Sequence, residues 1–342
     1  MPVYTRDQLI TFGVRCLEAM GTEQEYGRII AEAAADTEAM GVTTHGMATY
    51  PYFDSVIPDK LDPRAVPEVV RNTGPTAVVD GNMGYSQLTL HTAAELGLAK
   101  VREYGTAVIM GRNCAWLAGL GIYLLPLARE GFLAQLWAQT STCIDAAPVG
   151  GYDPRFSTNP VAFAFPTDGD PSICDMATTS ISMGKLKQMA ARGEQAPEPI
   201  FLDRQGELSC DPNAVLEGGT ILFLGGDYVG YKGYGMSLFN EALAAAAGGS
   251  CNNPQAQTRQ CFTLILIDQE LFGGREYYMG EIQRFIGHVK SSRLRNGYSD
   301  IRIPGERSIR HLNDAAKKGI HLGKPMTERL NALAGKYGFS RL

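Results

Sequence analysis

The chain changes character partway along its length, and that change limits its possible folds more than any single motif. Both ends carry helical periodicity. Thr5 is placed to cap a helix through Leu9, Phe12 and Leu17 that Gly21 stops. Thr22 opens a second helix with Ile29, Ile30, Ala33, Ala34 and Met40 on one face, and a helical C-terminus follows Pro304. From residue 132 onward, LAQLWAQTST, NPVAFAFPT, PSICDMAT, TILFLGG and FTLILID are short strand-like runs divided by Gly, Pro and Asp turns. Helices at about 180–192, 233–248 and 277–293 interrupt them. Ahead of this region come a strand at 76–81, a helix from Gln87 to Arg102, the strand TAVIMG and a helix over 121–130, with Pro58, Pro63 and Pro67 marking an extended connection before the first strand. Strands and helices do not alternate throughout, and no GxGxxG follows the first strand. The pattern therefore excludes a Rossmann dinucleotide fold, and a P-loop is absent as well.

With 342 residues, 44% of them hydrophobic, the chain can bury a large core and is expected to divide into two or three lobes. A net charge of -5 gives no nucleic-acid footprint. The basic cluster Arg284 to Arg295 is broken by apolar residues and reads as a solvated helix face. The N-terminus lacks the charged and apolar regions of a signal peptide, and no long apolar run suggests a membrane span, so a soluble cytoplasmic protein is expected. The seven cysteines, among them Cys143, show no CxxC spacing, which suits reduced thiols better than a disulfide framework or zinc site. No His/Asp/Glu spacing implies a metal. The helix ending EALAAAAGG suits close packing against a neighbour, and residues 249–260 read as a mobile polar loop.

Six segments carry chemistry: MGVTTHG (40–46), APVGG (147–151), STNPVAFAFPT (157–167), DMATTSISMGK (175–185), GYKGYG (230–235) and RIPGE (302–306). In this order, spread over nearly the whole chain, they resemble the type-2 malate/L-lactate dehydrogenase superfamily. That group includes sulfolactate, ureidoglycolate and diketogulonate enzymes and reductases of cyclic ketimines. The resemblance implies an α/β, non-Rossmann fold like that of L-sulfolactate dehydrogenase, in which a mainly antiparallel sheet binds NADH or NADPH beside a helical lobe built from both chain ends. On that basis residues 1–115 with 295–342 form the helical, substrate and dimerisation lobe of a homodimer, and 116–294 form the NAD(P)-binding domain.

Carried over residue by residue, the resemblance puts the cofactor against Trp116, Leu117, Ala118, Gly119, Leu120, Ser141, Asp175, Met176 and Ala177. Lys232 and Gly233 would meet its phosphates, and Pro304, Gly305 and Glu306 would close over it. A glycine beside a lysine suits a pyrophosphate, because the amide approaches closely while the ammonium acts as a point charge; GYKGYG also reads as a plain glycine turn opening a helix. Asp175 has a second reading too, as a turn residue holding backbone amides.

His45 is the candidate proton donor, since hydride reduction of C=O or C=N leaves a developing negative charge or a basic nitrogen that needs one, and imidazole suits neutral pH. Thr44 supplies the hydroxyl that the family's Ser-His-Gly places beside the ring. Lys185 and Thr158 would position the small-molecule substrate. His91, His288, His311 and His321 lie outside any motif.

Three departures bear on the substrate. Thr49 stands where the family commonly has an arginine gripping the substrate carboxylate, and Phe53 where it often has a tyrosine. Asn113-Cys114-Ala115-Trp116-Leu117 replaces Asn-Ser-x-His-Phe, and an indole transfers no proton at neutral pH. A 2-oxo acid needs a cation for its carboxylate and an acid for the alkoxide, whereas a cyclic imine can arrive protonated and leave as a neutral amine. Trp116 suits stacking on a planar cation, or simple packing beside the nicotinamide. The substitutions thus favour C=N over C=O reduction, while Lys185 follows the hydroxy-acid branch and pulls the other way. A cofactor-binding protein without turnover is the reading from another class.

Overall fold

The computed structural model describes residues 2–57, 59–141, 144–253 and 259–342. Pro58, Cys143 and the centre of the polar segment 249–260 lie outside the described residues.

The first helix, α1 (Arg6–Ala19), opens on the expected Thr5 with a reciprocal cap: the Thr5 hydroxyl accepts from the Gln8 amide and the Gln8 side chain accepts from the Thr5 amide at 2.8 Å. The second, α2 (Gln24–Ala39), starts two residues later than Thr22 would have it. The Thr22 hydroxyl is engaged elsewhere, 2.9 Å from the Tyr85 hydroxyl, and Glu23 takes the cap position without a side-chain bond. Next comes α3 (Thr49–Val56), which periodicity did not anticipate. TYPYFDSV is rich in aromatic and β-branched residues of modest helix propensity, and its proline is tolerated only because it falls in the first turn. Burial decides the matter, because Tyr50 and Phe53 are completely enclosed. The remaining helices longer than one turn are α4 (Ser86–Tyr104), α5 (Gly121–Arg129), α6 (Met183–Arg192), α7 (Tyr231–Ala246), α8 (Arg275–Lys290), α9 (Glu306–Lys318) and α10 (Lys324–Tyr337).

A seven-stranded sheet forms the centre. In chain order its strands are β1 (Glu68–Thr73), β2 (Thr76–Asp80), β3 (Thr106–Cys114), β4 (Leu133–Gln139), β5 (Val161–Phe165), β6 (Ser172–Met176) and β7 (Gln260–Ile267). In space they run β1-β2-β3-β7-β4-β5-β6. Only β2 and β3 pair in parallel, with α4 crossing between them; every other neighbouring pair is antiparallel. The strands before residue 116 thus share one sheet with those after it. Strand β1 is exposed along its whole length, so it lacks the alternation that reveals a strand in sequence. TILFLGG contributes only Thr220–Ile221, part of a small three-stranded sheet with Phe201–Leu202 and Leu208–Ser209.

The pleat sorts β4 cleanly. Leu136 and Ala138 join Ile109, Leu264 and Ala162 in a core covered by α4 and α5, while Trp137 points to the other face and meets Phe239 of α7. A second core belongs to both chain ends: Leu9 and Leu17 of α1, Ile30 and Ala34 of α2, Phe53 of α3, and Leu330 and Leu333 of α10 pack together. Each such buried aliphatic side chain contributes roughly 1.5–3 kcal/mol. Val3–Tyr4 pairs with Ile320–His321 and ties the two ends edge to edge. The result is an α/β, non-Rossmann fold with a mainly antiparallel sheet beside a helical lobe drawn from both ends. Of the alanine run in α7 and just after it, Ala244 and Ala247 are buried, while Leu238 and Phe239 of the same helix remain exposed. Helix α8 buries no residue, so the basic segment that begins on it lies on a solvated face. Among the described residues no helix is long and apolar enough to cross a membrane.

Candidate active site

The loop between α2 and α3 carries His45, and its shape is set from below by Glu38. The Glu38 carboxylate is buried and accepts the Met47 amide at 2.8 Å. Gly46 lies so close over it that an added Cβ would sit 2.7 Å from the Glu38 nitrogen, so this position must be glycine. Above that contact the Thr44 hydroxyl lies 2.6 Å from Nδ1 of His45. When that hydroxyl donates, the ring proton resides on Nε2, the remaining nitrogen available to a reactant. Burial pushes the imidazole down to about 4, so His45 is neutral at pH 7. The first turn of α6 closes on this loop: a Cβ on Gly184 would meet that of Thr44 at 3.0 Å.

Trp116 forms the facing wall. Just before strand β3 ends at Cys114, Asn113 has a positive φ of 51°, stabilised by side-chain bonds from its amide to Asp80, and the chain then turns inward. The Trp116 carbonyl accepts from Ser86, and the next amide, that of Leu117, donates to Gln260 at 2.6 Å. So fixed, the indole stacks on His45 at 5.3 Å between centroids and 24° between planes, and touches the Tyr52 ring at 4.8 Å. His45, Trp116 and Tyr52 make an aromatic wall in a cleft of about 510 Å³. Thr44, Leu117 to Leu120, Thr158, Asp175 to Ala177 and Lys185 line the same cleft, as do Thr140, Asp145, Ser157 and Lys187.

Gly119 and Asp175 also line a second cavity of about 280 Å³ that reaches Pro304, Gly305, Arg307 and Ser308 at the start of α9. Asp175 accepts the amides of Leu120 and Gly121 at 2.8 and 2.9 Å, which caps the N-terminus of α5. Its loss of water pushes the carboxyl up, and those two amides oppose the rise. Gly305 has φ 97°, and a Cβ there would lie 2.7 Å from the Ile173 nitrogen, so only glycine lets α9 begin against β6. The residues fit a dinucleotide: the N-terminus of α9 with Arg307 and Ser308 suits phosphates, and Leu117, Ala118, Met176 and Ala177 offer apolar surface to a flat ring.

Several expected positions lie elsewhere. Thr49 lines neither cavity; it is fully buried, and its hydroxyl bonds the His45 carbonyl at 3.1 Å, bracing the loop. Phe53 is core. Lys232 is exposed on the first turn of α7 and lines neither cavity. Gly233 is a packing residue whose Cβ would sit 2.3 Å from the Thr178 carbonyl oxygen. Ser141 is buried with its hydroxyl on the Arg259 carbonyl. Glu306 pairs with Lys290 and accepts the Ile303 amide at 3.2 Å. The sequence reading missed Glu38, Tyr52, Asp145 and Arg307. Tyr52 was within reach, since it stands one residue before the place where the family often has its tyrosine; the other three carry no local signal.

The malate/L-lactate dehydrogenase family profile matches residues 4–331. The malate dehydrogenase of Pyrococcus abyssi is 29% identical over 98% of this chain and 95% of its own length. The Delta(1)-pyrroline-2-carboxylate/Delta(1)-piperideine-2-carboxylate reductase of Pseudomonas putida is 31% identical over 92% of each chain. The solved malate dehydrogenase of Pyrococcus horikoshii OT3 superposes with a TM-score of 0.89, covering 100% of this chain and 97% of that one at 28% identity. A chain matched from end to end by one family, in sequence and in fold, is a member of it: this protein belongs to the malate/L-lactate dehydrogenase family of oxidoreductases, whose chemistry implies a nicotinamide cofactor.

Proposed function

We propose that the protein reduces the C=N bond of a cyclic imine, using NADH or NADPH, as a cytoplasmic homodimer. The observation that carries this reading is the aromatic wall, in which Trp116 stacks on a neutral His45. A planar iminium is received well by such a wall, through cation–π attraction to the indole. A bound reduced nicotinamide supplies the hydride. The cation then becomes a neutral amine, and no proton has to be delivered in that step. His45 has a lighter task than in carbonyl reduction: a neutral ring with Thr44 on Nδ1 orients the substrate nitrogen and excludes water. The curated reductase from Pseudomonas putida, named for pyrroline- and piperideine-carboxylates, makes this chemistry available to the family. Exposed Leu238 and Phe239 on α7 suit the dimer contact.

A second reading has its own observation. Lys185 and Lys187 both line the cleft and supply cations for a substrate carboxylate, which suits a 2-oxo acid reduced to a 2-hydroxy acid. There His45 must give the Nε2 proton to the new alkoxide. NADH and NADPH oxidation at neutral pH, against cyclic imines and 2-oxo acids in parallel, separates the readings. Turnover of imines alone supports the first. Turnover of 2-oxo acids alone overturns it and makes Lys185 the carboxylate partner, whereas cofactor binding without any turnover points to a binding protein.

A further inference from the structure

The reductase reading leaves one charged residue of the cleft without a task. Asp145 lines the cleft with His45 and Trp116, within the otherwise apolar run IDAAPVGG. Its backbone is held from both sides: the amide donates to Phe156 at 2.9 Å and the carbonyl accepts from Ile221 at 2.7 Å. The side chain is not held. Oδ2 is shielded from water and has no hydrogen-bond partner among the described residues, nor does any ion pair there include Asp145. Lys187 of α6 acts on it only through space. An ionised carboxylate in such a place is unfavourable unless a donor or cation meets it. The surrounding protein pushes the carboxyl up and Lys187 counteracts the rise, so an arriving positive charge would favour the anion further.

We propose that Asp145 determines specificity by receiving a cationic substituent, an ammonium or guanidinium, on a dipolar substrate whose carboxylate is met by Lys185. The opposite signs of Asp145 and Lys185 in one cleft, with the aromatic wall beside them, match such a molecule. The proposal rests on the reductase reading for the bond reduced, but not for the charge recognised.

The test compares matched pairs in both chemical series: ring imine carboxylates with and without an amino substituent, and 2-oxo acids ending in a guanidinium or in an alkyl group of similar length. Steady-state rates are measured for the unmodified protein and for Asp145→Asn and Asp145→Glu. In whichever series turns over, the cationic member should be preferred by about tenfold to a hundredfold, mainly through KM. Asp145→Asn should abolish that preference while sparing the neutral member, and Asp145→Glu should retain part of it. Equal use of both members, or an Asp145→Asn variant that weakens both alike, overturns the proposal. If neither series turns over, the pairs are compared by calorimetric titration of the NADPH-loaded protein, and equal affinities overturn it in the same way. A preference confined to 2-oxo acids would sink the imine reading and keep Asp145 in this role.

Discussion

Replacing Glu38 by glutamine should make the protein more stable at alkaline pH and slightly less stable at acid pH. Burial raises the Glu38 carboxyl from 4.5 to about 7, opposed only by the bond from the Met47 amide. In the unfolded chain the same group ionises at its ordinary value. Between these two values the folded protein therefore holds a proton that the unfolded chain has released. Stability falls as pH rises through that window and stays lower above it. Below about pH 4.5 both states are protonated and the penalty disappears. A rise of this size corresponds to about 3 kcal/mol at pH 8. Glutamine keeps the shape and a carbonyl oxygen for the Met47 amide but carries no charge. Its new NH2 group needs solvation and costs about 1 kcal/mol, so the net gain at pH 8 is about 2 kcal/mol. For a chain of this length that amounts to roughly 3 °C in Tm.

Denaturant unfolding of both proteins at pH 5, 6.5 and 8 measures the effect. Glu38→Ala serves as the control: it leaves the Met47 amide without its partner and should destabilise by about 1–3 kcal/mol at acid pH, a loss that shrinks as pH rises because alanine also removes the titrating carboxyl. A Glu38→Gln difference that does not change with pH would refute the reasoning, because it would mean that the carboxyl does not titrate differently in the two states. A gain at pH 5 rather than pH 8 would refute it more directly still.

Other expectations follow from the same geometry. His45→Ala should lower turnover by roughly 10²–10⁴-fold if a carbonyl is reduced, and by much less for an iminium, with affinity for the cofactor unchanged in a fluorescence titration. Because His45 titrates near 4, kcat/KM should show no limb from this residue between about pH 5.5 and pH 8; a limb near 6.5 that disappears in His45→Ala would contradict the burial argument. Gly184→Ala forces a methyl to within 3.0 Å of the Thr44 Cβ, so it should disturb the Thr44–His45 contact and cost about 1–3 kcal/mol in thermal unfolding along with activity. Asp175→Ala leaves the amides of Leu120 and Gly121 unpaired at the start of α5 and should destabilise by about 1–2 kcal/mol while weakening cofactor binding; unchanged stability would show that solvent satisfies those amides as well as the carboxylate does.

How far the sequence was legible depends on how local each determinant is. The Thr5 cap, α4, α5 and the strands β3 to β7 except for their ends were readable because each carries its signal within a few residues: a capping hydroxyl, a helical stripe, a run of β-branched residues. Helix α3 was not, because TYPYFDSV becomes helical through burial of Tyr50 and Phe53 against distant α1 and α10, and strand β1 was not, because an exposed edge strand needs no apolar alternation. The site divides in the same way. The Thr44–His45 contact joins neighbours in the chain and could be anticipated from the motif. Thr49 was expected at the substrate because a family arginine belongs there, yet a short polar side chain at the first position of a helix reaches back to the carbonyl four residues earlier instead of outward to the cleft. Asp145, Lys187 and Tyr52 come from three separate segments and meet only when the α6 region, the β4–β5 connection and α3 close on one cavity. A charge partner that depends on such closure leaves no spacing in the sequence. That is why a reading confined to motifs picked out His45 and missed the carboxylate that lines the cleft with it.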